Sequence, residues 1–579
     1  MAMTEQISMN RAGAEAPSLP RRSRNPTFWL TAVLGVVLAV LVLPSVAILI
    51  ARSVMITNPD ASFGGLTIAH FTRFFTTTGV LTSTYNSIVF AVFSTVVALL
   101  FGGAQAWLVE RTNMRFKPLA YMTTIISLGT PYILYVGAWL FLLGKAGPIN
   151  DVFRMVTGSR GVLIDVYSMF GMVLIEGFLW SPLVFLLLSS TFRVANADLE
   201  EAARMSGANV FQTIWNVSIK MAMPAILALA LFVFIRAVEA FEVPAMVGMP
   251  GGIDVLTTDV YKSIKETIPP DLGYASAYSV VLLVIVGILL YFYGKLAKNA
   301  GKYSSITGKS FRPRPFNLGP YRWVAEALVI FNFVLLLLLP LLALLWLALQ
   351  PFMRAIRPSA FSAMSFHNFA TVFSSEYYRD LAVNTILIGA IAATAAVVIT
   401  FFVGWLSARR KPGGVVLDQL ATAPLIFPGI VMGVAFLMVF LSVPVPIYGT
   451  LWALAIAYTV RYLPYGLRYS YAGVLQIHHE LEEAAGVAGA GPLTMLRRIM
   501  APLLSPALVS AWLFIFLIAT KELAVAALLA GPNSQVVAVG MYDLWVNGQG
   551  GELAAFGLVW AAVMTCLAFV FYAFARNKA

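Results

Sequence analysis

The chain has 579 residues, 60% of them hydrophobic and only 11% charged, against about 25% charged in a soluble domain. So little charge cannot solvate a water-soluble body, and long unbroken apolar runs exclude an alternating β-barrel, leaving an all-α membrane protein. The net charge of +12 does not indicate a nucleic-acid binder, because the basic residues lie in short loops between apolar runs, where they set membrane orientation.

Residues 1–27 read as a tail in which Arg21, Arg22 and Arg24 precede an apolar run. That run extends about 23 residues from Phe28, long enough to span, and lacks a small-residue cleavage site, so it is expected to be a retained anchor rather than a signal peptide. About twelve candidate spans follow in order, beginning near Phe28, Asn86, Leu119, Val166, Met221, Tyr278, Trp323, Asn384, Leu420, Thr450, Leu504 and Leu553. With the N-terminus inside, about 26 Lys and Arg fall in inner segments and about 10 in outer ones. Both termini are therefore expected in the cytoplasm.

The chain repeats itself. Asn86 in "YNSIVFAV" matches Asn384 in "VNTILIGA" at an offset of 298, and farther on Glu200–Ile226 aligns with Glu482–Leu508 at an offset of 282. The 16-residue difference is taken up in an outer loop, where length changes are tolerated. Six spans per half make this a parallel repeat. The expected organisation is the tail 1–27, a first repeat 28–297, a basic linker 298–322 and a second repeat 323–579.

The aligned segments, 200–224 and 482–506, place an acidic first turn at a helix N-terminus, then small alanines, then a glycine able to adopt positive φ and reverse the chain. They describe a short helix–turn–helix at the inner face. Their residues are Glu201, Ala202, Ala203 and Gly207 in one copy, and Glu483, Ala484, Ala485 and Gly489 in the other. This pattern resembles the EAA motif of ABC import permeases, with Lys220 standing where that motif has proline and Pro502 matching it. The resemblance implies a type I ABC importer permease fold with paired coupling loops that dock two separate ATPase subunits. Glu201 and Glu483 would then contact the ATPases, and ATP and Mg would reside on those partners.

No phosphate loop accompanies the motif. "ITGKS" (Ile306–Ser310) has Tyr303 where a glycine is required and no strand before it. No cofactor or metal site is expected in this chain, since Cys566 is alone and His70, His367, His478 and His479 lack ligand spacing.

The fifth spans carry ionisable groups: Arg236, Glu239 and Glu242 in the first half, Lys521 and Glu522 in the second. Each costs roughly 3 kcal/mol at mid-bilayer, so each should face protein or water. They are candidates to line the translocation path. One arrangement pairs Glu239 with Lys521 across the halves; the alternative is local pairing of Arg236 with Glu239, and of Lys521 with a neighbouring carboxylate.

The resemblance implies alternating access in a bacterial inner membrane, with substrate delivered by an external binding protein. "EAFEVPAMVG" (Glu239–Gly248) is similar to the ferric-iron permease group, which implies ferric iron; related permeases import thiamine, 2-aminoethylphosphonate, polyamines, sulfate or molybdate. The rival readings are a proton-coupled twelve-span secondary transporter and a membrane sensor that moves no solute.

Overall fold

The computed structural model describes residues 26–57, 63–194, 197–303, 315–352, 354 and 356–576. The arginines expected in the N-terminal tail and the Ile306–Ser310 segment lie outside those residues. Among the described residues, ten helices are long and apolar enough to cross a membrane. A bent pair, Gly414–Ile426 and Gly429–Ser442, meets at 110° and makes up to eleven.

Twelve continuous spans were expected, and three regions depart from that. The run from Leu119 forms two helices, Lys117–Gly129 and Tyr132–Leu143, and the run from Leu420 is the bent pair. Both break at a proline, Pro131 or Pro428, whose ψ of 138° or 150° is extended. A proline supplies no N–H to the preceding turn and pushes the residue before it out of the helical region, so an apolar run alone cannot keep the helix continuous. The run from Thr450 is a single helix, Leu451–Gln476, but it carries Arg461 and Arg468 and is not among the ten. Its inward side chains, including Tyr458, Tyr462 and Leu463, are buried in protein.

The two halves repeat in their polar contacts as well as in their helices. The Asn86 amide donates to the Asp254 carbonyl at 3.0 Å, and the Asn384 amide donates to the Gln535 carbonyl at 3.0 Å. Beside them, Ser87 Oγ accepts from the Leu256 N–H at 2.9 Å and Thr385 Oγ1 from the Val537 N–H at 2.8 Å. The second span of each half thus satisfies orphan donors at the start of a short helix, Leu256–Lys265 or Val537–Val546.

The halves also interlock. The first helix, Pro26–Ser53, packs on Gly414–Thr422 and Gly429–Ser442 of the second half, and Thr31 Oγ1 donates to the Pro412 carbonyl at 3.5 Å. In exchange, buried Asn332 of the second half hydrogen-bonds Gln105 of the first. The end of the linker is fixed to the first half: the Phe316 N–H donates to the Arg111 carbonyl at 2.7 Å, and the Asn113 N–H donates to the Phe316 carbonyl at 3.0 Å. The start of the first helix therefore shares one end of the bundle with loop 409–413, and loop 111–117 shares it with linker residues 315–318. At the opposite end a two-stranded hairpin, Met55–Thr57 with Phe63–Leu66, sits beside His70. There Arg73 pairs with Asp271 at 2.7 Å.

Replacing Asn86 or Asn384 by alanine leaves a carbonyl unpaired at the start of the short helix. Each change is expected to destabilise the protein by about 1 kcal/mol, read as a lowered unfolding midpoint in detergent.

Candidate functional site

Each repeated segment folds as an elbow. In the first, helix Ala197–Met205 ends at Gly207, φ +86°, and in the second, helix Glu480–Val487 is followed by Gly489, φ +81°. The Ala208 N–H donates to the Ala203 carbonyl at 3.0 Å and the Ala490 N–H to the Ala485 carbonyl at 2.9 Å, the six-residue closure that a left-handed residue permits. After the turn, Asn209 and Gln212 cap the first return helix reciprocally, at 2.8 and 3.0 Å. Both return helices pass through a π-helical turn, Ile214–Ser218 or Leu496–Met500, directly into the fifth span. Lys220 in place of proline leaves that path unchanged.

The elbows present one open face. Ala202, Gly207, Glu483, Ala484 and Gly489 are exposed, Glu201 and Ala203 are half-buried, and Ala485 is buried. The other face is held by a residue the motif does not single out. Glu200 receives Arg111 Nε at 3.0 and 3.2 Å and Nη2 at 2.5 Å, and Ser218 Oγ donates to it at 2.6 Å. Glu482 receives Arg409 Nε at 2.7 Å and Trp405 Nε1 at 3.1 Å. Arg111 also donates to the Phe192 carbonyl and Arg409 to the Ile477 carbonyl. Two signals for these pairs are present in the sequence: the glutamate is doubled in both copies, and an arginine recurs at the 298-residue offset.

The second candidate cluster lies between the fifth spans. Arg236 pairs with Glu239 at 2.9 Å within the first half. Glu522 takes Arg461 Nε at 2.8 Å, the Tyr462 hydroxyl at 3.0 Å and the Val525 N–H at 3.2 Å. Glu239 and Arg461 are electrostatic neighbours across the halves, and Glu242 lies within range of both Glu522 and Arg461. Glu176, from the fourth span, accepts from Trp180 Nε1 at 2.8 Å.

Glu239 and Lys521 do not pair. Arg236, one turn earlier on the same helix, reaches Glu239 without rearrangement. Lys521 lies past the end of its helix at Ala519 and donates to the Leu128 carbonyl of the first half, 2.5 Å away, with its ammonium 5.8 Å from the Tyr132 ring centre. Lys521 therefore makes a contact between halves, but with a carbonyl at the first-half helix break and not with a carboxylate. The second-half basic residue that acts electrostatically on Glu239 is Arg461, which pairs with Glu522 in its own half. Among the described residues, no group of three or more His, Cys, Asp or Glu is placed to hold a metal ion.

Two outcomes follow from this geometry. Arg461→Ala leaves Glu522 buried without its counter-charge and should cost about 3 kcal/mol, more than the Arg461→Ala, Glu522→Ala double variant, by thermal unfolding in detergent. Gly489→Ala meets no neighbouring atom but forces a Cβ into the left-handed region, costing about 1 kcal/mol and showing as faster proteolytic nicking at the elbow.

Comparison with known proteins agrees with this architecture. The chain is 25% identical over 497 residues to the ferric transport system permease protein FbpB of Actinobacillus pleuropneumoniae, covering 84% of this chain and 70% of that protein. It is 27% identical over 218 residues to the spermidine/putrescine transport system permease protein PotB of Haemophilus influenzae, covering 37% and 74%. A probable molybdenum ABC transporter permease of Haloferax volcanii is 29% identical over 209 residues, covering 36% and 71%. The profile of one permease family matches twice, over residues 98–299 and 396–577, once in each half. The chain belongs to the family of binding-protein-dependent transport system inner membrane components.

Proposed function

We propose that this ABC importer permease moves ferric iron, handed over by an external binding protein, and that two ATPase subunits drive it through the elbows Glu201–Gly207 and Glu483–Gly489. The observation that carries the reading is the pair of elbows itself. Each is open on one face, tied to its own half on the other, and continuous with a fifth span that ends at largely buried charges. An ATPase gripping the open faces would turn both fifth spans together, and Arg236, Glu239, Glu242, Lys521 and Glu522 would line the path they enclose. The chain itself supplies no hydrolytic chemistry. The elbow end, shared with the basic loops 111–117 and 409–413, faces the cytoplasm on the positive-inside rule.

Ferric iron is favoured over polyamine or molybdate because the FbpB relative aligns across both halves, whereas the other two align with about a third of the chain. On this reading the iron is cargo passing through the chain, and its selection falls to the external binding protein.

Radiolabelled uptake in cells carrying or lacking this chain tests the proposal. Ferric-iron accumulation should fall to background without the chain, and equally when the partner ATPase cannot hydrolyse ATP. Iron uptake that ignores the ATPase but collapses with the proton gradient would establish a secondary transporter. Loss of putrescine or molybdate uptake with iron uptake intact would reassign the cargo.

A further inference from the structure

The doubled glutamates give the elbows a second connection to the membrane domain. We infer that Arg111–Glu200 and Arg409–Glu482 are positioning pairs that carry elbow movement into the second span of each half. The inference rests on the reading of the elbows as ATPase-coupling loops and adds to it a route distinct from the covalent one into the fifth span.

The arrangement recurs in both halves, so it is not an accident of one loop. Each arginine stands at the inner end of a second span: Arg111 is the last residue of Thr78–Arg111, and Arg409 directly follows Glu376–Ala408. Each glutamate immediately precedes the Glu-Ala-Ala triplet, whose exposed residues include Ala202 in one copy and Glu483 and Ala484 in the other, so the same short helix offers one face to a partner and the other to its arginine. The contacts are multiple and charge-assisted, and therefore directional as well as strong. In the first pair, side-chain exposure is 2% for Arg111 and 5% for Glu200; in the second it is 15% for Arg409 and 11% for Glu482. Pulling an elbow without its arginine would leave a largely buried charge without its partner, which is strongly disfavoured. The elbow and the end of the second span must therefore move together.

The far end of the same helix shows where that motion arrives. Asn86 and Ser87, or Asn384 and Thr385, hold the start of the short helix 256–265 or 537–546. At 1.5 Å per residue, Arg111 and Asn86 are about 37 Å apart along one continuous rod. A tilt imposed at the elbow is thus delivered to the opposite end of the bundle, beside the segment that follows Glu239 and Glu242. The linker stiffens the first route alone, because Phe316 is hydrogen-bonded to the residues on both sides of Thr112 and packs on Trp107.

The test uses the complete importer, reconstituted with its ATPase and binding protein, and reads uptake together with ATP hydrolysis. Glu482→Gln, Arg409→Gln and the double variant form a cycle on the less buried pair, which should tolerate neutral isosteres. Glu200→Gln is added where it accumulates in the membrane. Each single change should lower uptake about ten-fold more than it lowers ATP hydrolysis, and the double should be no worse than either single. A purely structural role lowers the amount of folded importer but leaves uptake per ATP at the unaltered value. That result, or strictly additive losses in the cycle, overturns the inference. Absence of ATP-dependent uptake in the unaltered importer removes the underlying permease reading instead, before any variant is compared.

Discussion

A charge taken into a bilayer must bring its partner with it. The cost of leaving one unpaired in hydrocarbon is set against a total stability of only about 5–15 kcal/mol, so a few such groups decide how the helices are arranged. Here they do. Arg461 is costly for helix Leu451–Gln476 in a membrane, yet Glu522, which also takes the Tyr462 hydroxyl, pairs with it inside the protein. Lys521 meets the same constraint in another way. It reaches a carbonyl released where the first-half helix breaks ahead of Pro131, so the break and the lysine satisfy one another. The broken helices are thus part of how the intramembrane charges are accommodated.

The repeat sets a frame that the charges then make asymmetric. The asparagine contacts, the glycine turns, the π-helical turns and the arginine–glutamate pairs occupy equivalent positions in both halves. The charges at the ends of the fifth spans do not: position 239 is glutamate in the first half, and its repeat counterpart 521 is lysine in the second. Two identical halves would place like charges opposite each other about the pseudo-twofold axis, which the low dielectric of the interior penalises. Within a single chain the two halves can differ, and the central cluster gains opposite signs across the axis. Covalent fusion also fixes which half meets which, reinforced by the exchange of first helices.

What the sequence made legible follows from the length scale of each signal. A span needs some 20 apolar residues, a window wide enough to survive local exceptions, and most expected starts fall within observed helices. The elbows were legible because two copies at one register are improbable by chance. The breaks at Pro131 and Pro428 were not anticipated, since hydropathy continues smoothly across both prolines. Glu200 was overlooked beside Glu201 for a geometric reason: consecutive helical residues point about 100° apart, so one of two adjacent glutamates faces outward and the other inward. Choosing between them requires knowing where Arg111 lies, some 90 residues away in sequence.

If the elbows couple to ATPases as proposed, these features would let an elbow turn a bundle instead of merely bending a loop. A segment attached to the membrane domain at one point can swing about that point and transmit little. Each elbow here is held at two. One attachment is covalent, through an unbroken path into the fifth span with its buried charges; the other is ionic, onto the inner end of the second span. A rigid helix pair held at both points converts a push on its open face into rotation of two spans relative to each other. The second span is itself joined, at its far end, to the segment that follows the charge cluster, so each half closes a mechanical loop from the inner face to the outer and back to its centre. The Arg236–Glu239 and Arg461–Glu522 pairs lie where that loop returns to the centre. The same constraint that forces charges to be paired in the membrane puts an energetic cost on any movement that would separate them.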